Sequence, residues 1–347
     1  MSKKIKKVFK KFFNEIKDFI VEEYIFLISV VVFYIICTWP VNYYIVVGGG
    51  ITDVSERVSV VDGYDSKGSF NLCYVSELKG TTLTYLLSYV IPTWDRDSMN
   101  DYKYSENENY EDLEFRGDLE LKTTNSSATK AAFDLANKKV AEVGSKIYVI
   151  ANFDEFESEL KIGDQLISVD GNIFDTMQEY SDYIQKYNVG DYALVKVIRN
   201  KKEIEIECQI YEEEGRKIFG VALMTEKKYE TDPKVNISFK ASESGPSGGL
   251  ITGLQIYDEL LKKDITKGFK IAGTGTIDSL GNVGTVGGVR YKVLGAEAGE
   301  ADVFLVPNGK NYKEAVKVKK EKNLDIKIIG VSTLEEAVNE LSKLKKQ

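Results

Sequence analysis

Ser244-Gly245-Pro246-Ser247-Gly248-Gly249-Leu250 is the stretch on which the reading of this chain turns. It opens a helical pattern through Leu254, Ile256, Tyr257, Leu260 and Leu261, which puts Ser247 at the positive end of a helix dipole, where a serine is placed to act as a nucleophile. The two glycines behind it let a substrate carbonyl approach the backbone with no Cβ in the way. Taken alone, the same segment also fits an N-cap serine in a glycine-rich turn.

Two runs downstream add to it. The first is Ile271-Ala272-Gly273-Thr274-Gly275-Thr276-Ile277, and the second extends from Gly281 to Ala296 and includes Gly287-Gly288-Val289-Arg290-Tyr291-Lys292. Counted from Gly288, helical spacing puts Lys292 on the face of Val289, Val293 and Ala296, expected to pack inward, and leaves Arg290 to solvent. Together with Ala301-Asp302-Val303-Phe304-Leu305-Val306-Pro307-Asn308, these segments resemble the proteolytic domain of the Lon family of serine proteases. The shared motifs are Gly-Pro-Ser-x-Gly, Thr-Gly-x-Ile and Gly-Gly-x-x-x-Lys, in that order, and the resemblance covers roughly residues 216–345. It implies Ser247 as nucleophile, Lys292 as general base and Thr274 as a hydrogen-bonding supporter of the pair, with no metal and no cofactor. Many relatives have an acidic residue directly before Gly-Pro-Ser; here Ser244 stands there, with Glu243 one place earlier. Nucleotide-driven relatives need an ATPase module, and no Gly-x-x-x-x-Gly-Lys-Ser/Thr motif occurs in this sequence, so the expectation is hydrolysis that is ATP-independent or driven by something else.

Composition fits a histidine-free dyad. The 347 residues contain no histidine, so Ser-His-Asp, Cys-His and His-ligated metal chemistry are excluded. A lysine serves as a base only when neutral, which requires partial desolvation. Cys37, Cys73 and Cys208 are too scattered for a disulfide framework or a CxxC site. A net charge of −8 with no basic stripe argues against nucleic acid as a partner.

Upstream, Leu160-Lys161-Ile162-Gly163-Asp164-Gln165-Leu166-Ile167 and Val169-Asp170-Gly171 follow a strand at Ile147-Tyr148-Val149-Ile150 and precede a helix over 177–187 and strands over 192–199 and 203–210. This order resembles a bacterial, circularly permuted PDZ domain. The resemblance implies a groove between a strand edge and the 177–187 helix that captures peptides by β-augmentation. Residues 57–61 and 69–75 read as a hairpin, residues 95–120 with ten acids as a solvated mobile loop, and residues 124–140 as an amphipathic helix capped by Asn125, Ser126 and Ser127.

At the start of the sequence, seven lysines among residues 1–23 precede an uncharged stretch from Tyr24 to Val47, long enough for one transmembrane helix with a cytoplasmic N-terminus. A cleaved signal peptide is the rival reading. The expected organisation is α+β: a cytoplasmic basic tail (1–23), a transmembrane helix (24–47), a β hairpin with an acidic mobile segment (48–122), a PDZ-like domain (123–212) and a Lon-type proteolytic domain (213–347). The combination resembles membrane-anchored, PDZ-containing Lon-type proteases of Gram-positive bacteria. It implies a serine endopeptidase facing the extracytoplasmic side, with protein or peptide substrates and, as in Lon relatives, further copies of the chain as partners. The alternative function is an inactive protease-like PDZ scaffold that binds membrane or extracytoplasmic proteins.

Overall fold

The strand Val303–Pro307 is buried at every residue because the sheet that contains it is covered on both faces. In the computed structural model, which describes residues 3–345, the chain forms two units: one runs up to Val47 and includes Glu77–Asp101, and the other holds Gly48–Ser76 and everything from Tyr102 onward. The expected segments 1–23 and 213–347 reach outside the described residues at 1–2 and 346–347.

In the larger unit, Val303–Pro307 pairs in parallel with Lys270–Gly273 on one side and Lys327–Val331 on the other, and Lys270–Gly273 pairs in parallel with residues 69–72. Side chains alternate between faces along these strands. Ile271, Val303 and Leu305 join Leu250, Ile251, Leu254 and Leu334 in one core, while Ala272, Phe304 and Val306 join Val289, Val293, Ala296 and Ala315 in another. Helices Gly249–Glu259 and Leu334–Ser342 therefore cover one face, and Val289–Ala298 and Lys310–Lys322 the other. This layering leads Ser247 and Lys292 in from opposite faces.

The same unit holds an antiparallel sheet in the order Val221–Asp232, Lys139–Asn152, Gln165–Val169, Tyr192–Arg199, Lys202–Gln209, packed with the helix Met177–Ile184 around Val149, Leu160, Val195 and Phe219. Buried Asp164 of the Gly-Asp signature accepts two 2.7 Å bonds from Arg199 and one from the Lys161 N–H, so that signature has a structural role: it ties a turn to a strand.

Several expectations are corrected. Residues 57–61 and 69–75 form no hairpin: Val58–Val60 pairs with Val235–Ile237, and Ser69–Thr81 enters the parallel sheet. The segment over 95–120 is no mobile loop, and the helix expected from 124 begins earlier. Tyr110–Leu135 is one helix, started by a capping box between Asn109 and Asp112. Its Arg116 is buried and binds Glu108 through both terminal nitrogens, at 3.0 and 2.9 Å. A buried charge pair of this kind breaks the polar-outside periodicity that marks a helix in sequence. The strand at Ile147–Ile150 has no free edge for an incoming peptide, because it is flanked by Gln165–Val169 and by the chain's own Val221–Asp232.

In the smaller unit, residues 24–47 divide into the helix Tyr24–Thr38 and the N-terminal part of the strand Pro40–Asp53 instead of forming one transmembrane helix. Pro40 lacks an N–H for the helical ladder and holds Trp39 extended, and the aromatic and β-branched run that follows favours a strand. No single helix among the described residues is long and apolar enough to cross a membrane. Lys10–Phe19 and Tyr24–Thr38 pass that test as a pair, bent by 73°. The expected tail over 1–23 is itself helical, Lys3–Glu22. Residues 43–46 pair with Asp95–Ser98, and Arg96 stacks 3.7 Å above the Tyr89 ring.

Candidate active site

Thr274 lies immediately beyond the carboxyl end of the parallel strand Lys270–Gly273, the position at which open parallel sheets place their sites. Its side chain is fully buried, and its hydroxyl donates to the Ser247 carbonyl oxygen at 3.0 Å. The same carbonyl accepts the Gly275 N–H at 2.8 Å. From the opposite face of the sheet, Lys292 Nζ donates to Thr274 Oγ1 at 3.1 Å. The structure thus brings the three candidate residues together, with Thr274 bridging the lysine amine and the serine backbone.

Local sequence explains each placement. Gly288, at φ 66°, starts the helix Val289–Ala298, and one turn later Lys292 falls on the inward face with Val289 and Val293. Lys292 is only 5% exposed, whereas Arg290 is solvated. Ser247 is half-buried and sits two residues before the helix Gly249–Glu259. Gly249 is required by close approach: a Cβ there would lie 2.5 Å from Thr124 Cγ2 and 2.7 Å from Ile277 Cγ2. Gly245, at φ 84°, turns the preceding loop so that its N–H reaches the Gly117 carbonyl at 2.9 Å. The helix Tyr110–Leu135, absent from the sequence reading in this position, is therefore one wall of the nucleophile loop.

The N–H groups of Ser247 and Gly248 carry no hydrogen bond among the described residues. Glu243, one place before the position where relatives carry an acid, is committed elsewhere. Arg57 grips it through Nε at 3.0 and 3.1 Å and through Nη2 at 2.9 Å, and it accepts the Lys240 N–H at 2.7 Å. Burial pushes this carboxyl up, but the guanidinium and the N–H outweigh burial and hold it below its ordinary value. Its role is to pin the loop before Ser247. Arg57 carries no motif in the sequence; only the long-range pairing of the strand that follows it, Val58–Val60, reveals it.

Behind Lys292 lies Cys73, a buried thiol pushed up to about 12 by burial, against which the Lys292 charge acts only in part. The thiol stays protonated and supplies a neutral wall. Among the described residues no group of acids and cysteines has the makings of a metal site.

Comparison with known proteins finds similarity in this part of the chain. Residues 228–343 match the Lon protease (S16) C-terminal proteolytic domain. A Lon protease from Desulfatibacillum aliphaticivorans is 27% identical over 159 residues, which is 42% of this chain and 19% of that protein. The chain thus matches about a fifth of the length of that curated relative. These findings support a protease of the serine type. Among solved structures, the PDZ domain of the SdrC-like protein from Listeria monocytogenes is 27% identical and covers 24% of this chain and 92% of its own, with a TM-score of 0.21. Its counterpart from Listeria innocua is 26% identical, covering 22% and 92%, with a TM-score of 0.22.

Proposed function

We propose that this chain is a membrane-anchored, ATP-independent serine endopeptidase that cleaves protein substrates through Ser247 and Lys292. The observation that carries the proposal is the hydrogen-bonded chain from Lys292 Nζ through Thr274 Oγ1 to the Ser247 peptide. Burial favours the neutral form of an amine, and a neutral Lys292 accepts the Ser247 hydroxyl proton as Oγ attacks the scissile carbonyl. The Ser247 and Gly248 N–H groups hold the oxyanion. Collapse expels the amine, which takes the proton back from Lys292, and water then hydrolyses the acyl-enzyme. ATP-independence is part of this proposal, and the PDZ-like module is assigned to capture of substrates or partners by a contact other than strand addition at Ile147–Ile150. The full chain, purified in detergent without nucleotide, should degrade an unfolded casein-like protein. Dependence of that degradation on added ATP would remove the ATP-independent part of the proposal.

Anchoring is supported by the helix Tyr24–Thr38, which has no charged residue and buries none of its side chains. Phe12, Phe13 and Phe19 are likewise exposed on the lysine-rich helix before it. A basic amphipathic helix bent into an apolar one suits a cytoplasmic leaflet, with the lysines at the anionic headgroups and the protease outside. The chain should sediment with membranes, and removal of residues 2–38 should release it. Protease added to intact cells should digest the C-terminal part, and a protected C-terminus would reverse the assigned topology.

A further inference from the structure

The helix Tyr110–Leu135 shows one side to the nucleophile loop and another to a separate cleft of about 580 Å³. The far wall of the cleft is the ribbon formed by Lys139–Asn152 and Val221–Asp232, and Val235 and Ile237 close one end. Such a volume is in the range of ligand sites and exceeds what a single small anion fills.

The polar lining is dominated by donors. Lys122, Lys146, Lys227 and Lys228 face Glu226 as the single acid. Lys227 is taken by Glu142 at 2.9 Å, and Glu226 by the Tyr148 hydroxyl. Lys122, Lys146 and Lys228 have neither an ion pair nor a side-chain hydrogen bond among the described residues. A further observation is independent of charge. Asn125 is only 8% exposed and lines the cleft, and among the described residues its side-chain amide has no hydrogen-bond partner. The amide is open to the cleft, where it can donate to an acceptor oxygen that enters. Ammonium groups only donate, so the complementary ligand brings several acceptor oxygens spaced along its length.

We propose that this cleft is an exosite for an acidic, extended peptide segment, whose carboxylates meet Lys122, Lys146 and Lys228 while a backbone or side-chain oxygen meets the Asn125 amide. From Val235 and Ile237 the chain continues through Lys240 and Glu243 into the loop that carries Ser247, and the exosite role assigns the seated segment to a substrate cleaved at the dyad. That role rests on the protease reading; the binding itself does not.

The test uses the full-length Ser247→Ala chain in detergent and a fluorescein-labelled twelve-residue glutamate-rich peptide, read by anisotropy. The peptide should bind. A glycine-serine peptide of equal length should not, and raising salt from about 50 to about 500 mM should weaken binding severalfold. The combined Lys122→Gln, Lys146→Gln, Lys228→Gln chain should bind about tenfold or more weakly, and Asn125→Leu about threefold more weakly. In the active enzyme, the triple variant should raise KM for a substrate with an acidic flank about tenfold at unchanged kcat, and leave a short neutral peptide unaffected. Binding by the Ser247→Ala chain alongside an active-site-intact enzyme that hydrolyses nothing would sink the protease reading and keep the exosite. Unchanged affinity in the triple variant would overturn the exosite. So would displacement of the peptide by an oligothymidylate of equal charge at equal concentration, which would show a site that reads charge alone.

Discussion

Replacing Ser247 by alanine should abolish peptide hydrolysis, with kcat falling by about three orders of magnitude or more, and Lys292→Ala should cost about as much. The two groups act as one unit: without the amine, the hydroxyl keeps its proton, and without the hydroxyl, the amine has nothing to deprotonate. The double variant should therefore be no slower than either single one, a non-additivity that two independent structural defects would not produce. Folding is separable from chemistry here. Ser247 is half-buried, so losing its hydroxyl leaves no cavity, and the Ser247→Ala chain should melt within a degree or two of the parent. Lys292 is buried and touches Thr274, so Lys292→Met is the better control, since it keeps the aliphatic stem while removing the amine. Near-full activity in Lys292→Met with an unchanged fold would require another base and would end the dyad proposal.

The legibility of this site in sequence has a physical basis, and so do the failures around it. Ser247 and Lys292 each sit in the first turn or just before it, where glycines, a turn and an apolar face fall within a few residues of one another. Such short-range patterns survive in a string of letters. What failed was set by long-range pairing. Val58–Val60 finds its partner at Val235–Ile237, and Val221–Asp232 closes the edge beside Ile147–Ile150 across a module of some seventy residues. No local periodicity encodes either pairing. The helix Tyr110–Leu135 was obscured because its buried side chains include the small Ala128 and Ala132 and the charged Arg116, and because five acids are spread through its first half. The Asn109 and Asp112 capping box was there to be read. Asn125 and Ser126, which suggested a helix start, instead lie within the helix and line the basic cleft; polar residues in mid-helix marked a site, not an end. At residues 24–47, Pro40 signalled the break, but total apolar length outweighed it.

The pH dependence tests the base most directly. Only the neutral amine of Lys292 accepts a proton, so kcat/KM should rise with pH as that amine deprotonates and level off above it. Neighbouring groups do not supply this limb. The chain has no histidine, and the Cys73 thiol, pushed up to about 12 by burial, remains protonated throughout the working range. Thr274→Val then gives the sign. Thr274 Oγ1 accepts from Nζ, and an acceptor stabilises the ammonium more than the amine, so its removal should favour the neutral form and move the limb to lower pH. The rate should still fall by about ten- to a hundredfold, because the hydroxyl also holds the Ser247 carbonyl and so positions the nucleophile. Stability should drop by only about 1 kcal/mol, since the Gly275 N–H continues to satisfy that carbonyl. A kcat/KM profile flat from about pH 6 to about 10, with chemistry shown to be rate-limiting, would rule out a titrating lysine and with it the Ser247–Lys292 mechanism.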